Sequence, residues 1–284
     1  MTSGPTFSEI IVPLDGSELS AHALVPACTI AKHLDVPMRV VSFHPPAADG
    51  DELRQIIGEQ LDKAGGMSPS VEIAPLDSSV SEQLEPILNA SPDALVAMST
   101  RGRGHSAALL GSVANEILAE FHRPVLLIGP GCAADTFRTE GPLVVAADRG
   151  DGTRAVLDLS AGLLATFDYT AQIVNVLDPD LATAMERSRG GPEGSDLPHE
   201  SAMAHRYANE LGRATGQEVD YVVLHSKHPG PAIADHAADQ GASLIAMATH
   251  ARTGLRRLTL GSVTAEVVTR ASCPVLATAP APKR

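Results

Sequence analysis

The chain has no tryptophan, and only 3% of its 284 residues are aromatic, so its core has to be assembled from alanine, valine, leucine and isoleucine. Cysteine is scarce as well: Cys28, Cys132 and Cys273 are far apart and fit no metal-binding or redox spacing. Such thiols are expected to be small buried hydrophobes in a reducing compartment. Basic residues are outnumbered, 21 against 34 acidic ones, for a net charge of −13. An acidic surface repels a phosphodiester backbone, which argues against nucleic acid as a partner and leaves room only for a local basic rim around a small phosphate site. No apolar run reaches about 18 residues, and the amino terminus carries no basic stretch followed by an apolar core, so no membrane partner is expected and the cytoplasm is the expected compartment.

What is present is ordinary for folded protein: 44% hydrophobic and 19% charged residues, in a length that suits two domains. Short apolar runs alternate with helix-like stretches. Glu9 to Leu14 reads as a strand ending in Asp15-Gly16-Ser17, with Ser17 the N-cap of a helix over Leu19 to His33. Met38 to Phe43 reads as a second strand, and Asp51 to Ala64 carries Leu53, Ile56, Ile57 and Leu61 at helical spacing. Val71 to Leu76 is a weaker third strand, followed by a helix over Ser79 to Ala90 that Pro86 is expected to bend or break. Ala94 to Met98 is a fourth strand, and Pro124 to Ile128 a fifth. Strands alternating with helices form βαβ units and a parallel sheet buried on both faces.

Gly129 to Gly141 breaks the periodicity and reads as a linker, after which the pattern restarts. Asp148 lies 133 residues after Asp15 (148−15), and Val176 lies 133 after Phe43 (176−43). Met247 lies 149 after Met98 and Gly261 lies 150 after Gly111. The second copy therefore holds 16 extra residues (149−133) between its second and fourth strands, with the Gly/Pro-rich Asp178 to Pro198 as their host. The repeat is too long for a solenoid unit. Two α/β domains are expected, residues 1–130 and 140–284, each a doubly wound parallel sheet.

In such a sheet a ligand sits beyond the carboxyl ends of the strands, where strand order reverses. If the first and fourth strands flank that reversal, Asp15 and Asp148 face the small-residue loops that follow the fourth strands. Those loops run into Gly111-Ser112-Val113 and Gly261-Ser262-Val263, each opening a helix. Backbone N–H groups at a helix start attract phosphate, and a carboxylate across the crevice suits donors such as ribose hydroxyls or an adenine amine. Gly-Ser before a helix is equally an ordinary cap.

Val12 to Ser17 (Val-Pro-Leu-Asp-Gly-Ser), the Gly-Ser-Val endings and the Arg-Pro-Val and Cys-Pro-Val strands resemble the universal stress protein family, over nearly the whole chain and as two tandem copies. The resemblance implies the adenine nucleotide alpha hydrolase-like fold, five strands per domain. It also implies a stress-response protein that binds ATP, with or without Mg, as a regulatory ligand through a Gly-x2-Gly-x9-Gly-Ser/Thr loop. Carried over, the nucleotide contacts fall on Pro13, Asp15, Phe43, Met98, Ser99, Gly102, Gly111, Ser112 and Val113 in the first copy, and on Asp148, Val176, Gly261, Ser262 and Val263 in the second.

Neither loop is intact. The first copy has Ser99 for the first glycine and keeps Gly102, then runs eight residues instead of nine; the second has Ala248 and Ala251 for the two glycines. An alanine at a lost positive-φ glycine costs about 1–2 kcal/mol, and about 1.4 kcal/mol is tenfold in affinity. On that count Ser99 to Ser112 is the favoured site. The alternative reading is a dimerising interaction module whose loops have drifted and bind no nucleotide. In the family, strand-5 edges pair between copies, so Val125 to Ile128 and Val275 to Thr278 are candidates for a homodimer or an intrachain pseudo-dimer.

Other residues add less. His225 and His228 have a chelating spacing with no completing ligand pattern nearby. Arg101, Arg103, His250, Arg252, Arg256 and Arg257 would rim the two sites. No Ser-His-Asp order, lysine nucleophile or carboxylate pair accompanies Asp15, so binding rather than catalysis is expected.

Overall fold

The computed structural model describes residues 7–100, 112–121, 123–133, 137–180, 198–249 and 261–279. The first half comprises strands β1 (Glu9–Leu14), β2 (Met38–His44), β3 (Ser70–Pro75), β4 (Ala94–Ser99) and β5 (Val125–Ile128). Its helices are α1 (Glu18–Ala21), α2 (Leu24–Leu34), α3 (Gly50–Lys63), α4 (Val80–Ala90) and α5 (Ser112–Phe121). The second half comprises β6 (Glu140–Ala146), β7 (Asp168–Leu177), β8 (Asp220–His225), β9 (Leu244–Ala248) and β10 (Val275–Thr278). Among the described residues its helices are α6 (Thr153–Thr166), α7 (Pro198–Thr215), α8 (Pro229–Asp239) and α9 (Ser262–Arg270).

All ten strands form one sheet in the order β3-β2-β1-β4-β5-β10-β9-β6-β7-β8. Each half runs 3-2-1-4-5 in parallel, and the halves meet where β5 pairs antiparallel with β10, Val275 opposite Leu127 and Ala277 opposite Val125. That order explains the short apolar runs. Both faces of the sheet are covered, so successive residues of β1 enter different cores: Ile10, Val12 and Leu14 one, Ile11 the other. Each core contains residues of both halves.

Aromatic residues are few, and four of the eight phenylalanines and tyrosines gather at the contact between the halves. Phe7, Phe137, Phe167 and Tyr169 surround a small apolar gap there. His33 of α2 stacks on Phe167 at 4.8 Å, and its Nε2 lies 2.9 Å from the Thr166 carbonyl at the end of α6. Tyr169 donates to the Arg138 carbonyl at 2.9 Å. Cys28, Cys132 and Cys273 are all buried. Burial, with a smaller push from Cys132, raises the Cys273 thiol to about 12.

Two local expectations are corrected. The helix expected over Leu19 to His33 is two, because Pro26 has no N–H to give the His22 carbonyl and its ring crowds it. Tighter bonds, His22 N–H to Leu19 O and Ala23 N–H to Ser20 O, fill the break. Conversely, α4 continues through Pro86. Its start is held by a reciprocal capping box between Ser79 and Glu82, and the Arg123 guanidinium donates to the Leu88 and Ser91 carbonyls at its end. The described part of the linker is packed. Cys132 and Phe137 are buried. A Cβ on Gly129 would fall 1.8 Å from the Val268 carbonyl oxygen of α9, and one on Gly131 would fall 2.8 Å from that of Ala271. Antiparallel pairing of β5 with β10 sets the residues leaving β5 against the helix that precedes β10.

Candidate functional site

The turns after β1 and β6 are built alike. Asp15 Oδ1 accepts the Ser17 N–H at 2.9 Å and the Ser17 hydroxyl at 2.6 Å, while Ser17 Oγ accepts the Ser20 N–H and caps α1. Asp148 Oδ1 accepts the Gly150 N–H at 2.7 Å and the Thr153 hydroxyl at 3.2 Å. The carbonyl just before each aspartate is pinned from the neighbouring strand: Leu14 O accepts from Ser42 at 2.7 Å, and Ala147 O from Asn175 Nδ2 at 2.8 Å. Each aspartate therefore stands on a fixed turn at the carboxyl end of a central strand.

The loops after β4 and β9 also leave the sheet in the same way. Thr100 N–H donates to Ile128 O at 3.0 Å, and Thr249 N–H to Thr278 O at 2.8 Å. Strand order reverses between β6 and β9, which run side by side with Ala146 opposite Met247. At that reversal the second half opens a cavity of about 630 Å³, within the 300–1,000 Å³ typical, in rough terms, of small-molecule sites. One wall is Asp148 with Ala146 and Ala147, another is Met247 and Ala248, and a third is Gly261 to Thr264 at the start of α9. Val174 and Val176 of β7 with Pro229 and Ile233 of α8 make an apolar end.

Of the expected second-copy residues, Asp148, Val176, Gly261, Ser262 and Val263 all line this one cavity. Gly261 is the N-cap of α9 and has no side chain to satisfy the helix's first N–H groups, and Gly261 to Thr264 line the cavity. Thr264 Oγ1 reaches Ala248 O at 3.5 Å, tying the helix start to β9. In the first copy Pro13, Asp15 and Phe43 are half-buried at the ends of β1 and β2, Met98 is buried, and Ser99 closes β4. Gly102 and Gly111 lie outside the described residues, as do the Ser112 side chain, Ala251 and the flanking arginines; Ser112 opens α5 and Val113 follows half-buried.

Ala248 and Ser99 are the last residues of their strands, and neither has a positive φ. The strain expected of alanine or serine at those glycine positions is therefore absent. What Ala248 adds is one methyl on the cavity wall.

Sequence reasoning missed Ala146, Ala147, Val174, Pro229, Ile233, Met247 and Thr264. The repeat itself pointed to two of them, since Ala146 answers Pro13 (146−13 is 133) and Met247 answers Met98. Val174 follows from Val176 by the two-residue period of a strand. Pro229 and Ile233 carried no signal, because nothing before folding says that α8 closes the end of the crevice. Among the described residues no group of three or more His, Cys, Asp or Glu is placed to hold a metal ion, and no helix is long and apolar enough to cross a membrane.

The universal stress protein family model matches residues 6–129 and again 141–279. The chain belongs to the universal stress protein family. As a tandem universal stress protein it shares its fold with solved structures of its own length. One is a putative universal stress protein from Pseudomonas aeruginosa, 16% identical with a TM-score of 0.65, over 97% of this chain and 94% of that one. A functionally unknown protein from the same species is 15% identical with a TM-score of 0.64 over the same shares. A universal stress protein from Archaeoglobus fulgidus is 18% identical with a TM-score of 0.60, over 96% of this chain and 99% of that one. At these identities the likeness concerns the fold. No curated protein is significantly similar to the chain.

Proposed function

We propose that this universal stress protein binds an adenine nucleotide, ATP or a close relative, as a regulatory ligand in the second-half cleft. The observation that carries the reading is that Asp148, the start of α9 and the apolar Val174, Val176 and Ile233 all line a single cavity. The N–H groups at a helix start suit phosphate. The carboxylate suits ribose hydroxyls, and Val174, Val176 and Ile233 suit the faces of a base. Ala248 leaves the backbone at the end of β9 unstrained; Ala251 lies outside the described residues. Among the described residues that line the cleft, none is placed to activate a nucleophile, which favours binding over turnover. With 101–111 outside the described residues, the reading rests on the second half rather than on Ser99 to Ser112.

The direct test is to denature purified protein and analyse the released small molecules by mass spectrometry, together with calorimetric titration of Mg-ATP. Released adenine nucleotide, or saturable binding weakened by Asp148→Asn, supports the reading. No released nucleotide and no heat or thermal shift with Mg-ATP would refute it and leave the rival, an interaction module without ligand, which the methyl of Ala248 on the phosphate wall favours.

A further inference from the structure

The two halves hold their aspartate turns with different residues, and the difference falls on the half that has the cleft. In the first half, Gln60 of α3 donates from Nε2 to the Gly16 and Ser17 carbonyls at 3.1 and 3.2 Å, clasping the turn that carries Asp15. Leu61 of α3 and Leu211 of α7 are both buried and lie 150 apart (211−61), which sets Glu210 in the place of Gln60 and Tyr207 in the place of Ile57. A carboxylate has no proton to donate to a carbonyl, and Glu210 instead pairs with Arg154. The clasp is taken over from one helical turn earlier: Tyr207, half-buried, donates its phenol O–H to the Asp148 carbonyl at 3.2 Å. The same carbonyl accepts the Thr153 hydroxyl at 2.8 Å, whose oxygen also contacts Asp148 Oδ1. Ile57, fully buried at the equivalent place, can supply no such bond.

We infer that Tyr207 is a positioning residue for the cleft carboxylate: by holding the Asp148 carbonyl it keeps the Asp148 side chain on the cavity wall, where it meets the hydroxyl groups of a bound nucleoside. The inference rests on the reading that the cleft takes an adenine nucleotide, and it concerns only the second half. Tyr207 lines no part of the cavity itself, so its effect on a ligand runs through Asp148.

The test is a four-protein cycle: wild type, Tyr207→Phe, Asp148→Asn and the double variant, each titrated with Mg-ATP by calorimetry and melted without ligand. Tyr207→Phe keeps the ring and its packing, so a folded protein is expected. Its Kd is expected to rise about five- to tenfold, the scale of one lost hydrogen bond. In the Asp148→Asn background the same change is expected to move Kd by less than about twofold, because the group being positioned is gone. A Tyr207→Phe Kd within about twofold of wild type would overturn the inference, and so would an equal loss in both backgrounds, which is the mark of a merely structural tyrosine. Failure of the wild type to bind Mg-ATP removes the proposed function and the inference with it. Binding by the wild type with no selective effect of Tyr207→Phe removes the inference alone.

Discussion

The same substitution at two glycines should move stability in opposite directions. At Gly129, in the linker between the halves, an added Cβ would sit 1.8 Å from the Val268 carbonyl oxygen and 2.9 Å from its carbon. Ordinary carbon contacts need about 3.5 Å. Both partners are backbone, one leaving β5 and the other in the last turn of α9, so neither can rotate away. Overpacking of this kind costs typically about 1–3 kcal/mol, and with no flexible atom to yield, Gly129→Ala belongs at the upper end, about 3 kcal/mol. At about 2–4 °C per kcal/mol for a protein of this size, Tm should fall by roughly 6–12 °C. Gly58, exposed in the middle of α3, meets nothing within 4 Å. Gly58→Ala only restricts the unfolded chain and favours helix, which is worth about 0.5–1 kcal/mol, so Tm should rise by a few degrees. Differential scanning calorimetry and urea unfolding of the two variants beside wild type measure both effects. A Gly129→Ala protein within about 1 kcal/mol of wild type, or two variants that shift the same way, would refute the claim that the linker is packed without slack against α9.

Four further outcomes are expected. Ser79→Ala removes half of the capping box of α4 and should cost about 1 kcal/mol in urea unfolding. Arg123→Ala leaves the Leu88 and Ser91 carbonyls to solvent and should cost about 1–2 kcal/mol, with salt-bridge screening having little effect because both acceptors are carbonyls. Ala248→Gly removes a methyl from the cleft wall at a position with no positive φ, and should tighten Mg-ATP by about threefold, under 1 kcal/mol, in calorimetric titration. The Cys273 thiol, raised from 9.0 to about 12 chiefly by burial, stays neutral in the fold where the unfolded chain would ionise it. Its contribution is therefore complete below pH 9 and lost as pH rises towards 12, so urea midpoints should fall over that window, and less so in Cys273→Ala.

Much of the fold was legible because its signals are local. Apolar runs of a few residues, Ser17 and Ser79 at helix starts, and the recurrence of Asp15 as Asp148 report on the chain without reference to its neighbours. Pro86 shows the limit of such reading: its sequence signal is a bend or break, yet α4 runs on to Ala90, its end met by Arg123, 37 residues on (123−86). The linker shows the same limit. Its glycines read only as a break in periodicity, and Gly129 and Gly131 permit close approach of two backbones.

The sequence by itself determined the duplication, the parallel α/β pattern of each copy, and which residue types could meet a phosphate and a ribose, because period, spacing and side-chain chemistry are properties of the chain alone. Only the tertiary structure decided that β5 and β10 close the two copies into one sheet with shared cores, that Ala248 is free of strain, and that Asp148 is held by a tyrosine from a distant helix. Those are relations between segments far apart in sequence, fixed by which surfaces bury one another, and no local signal encodes them.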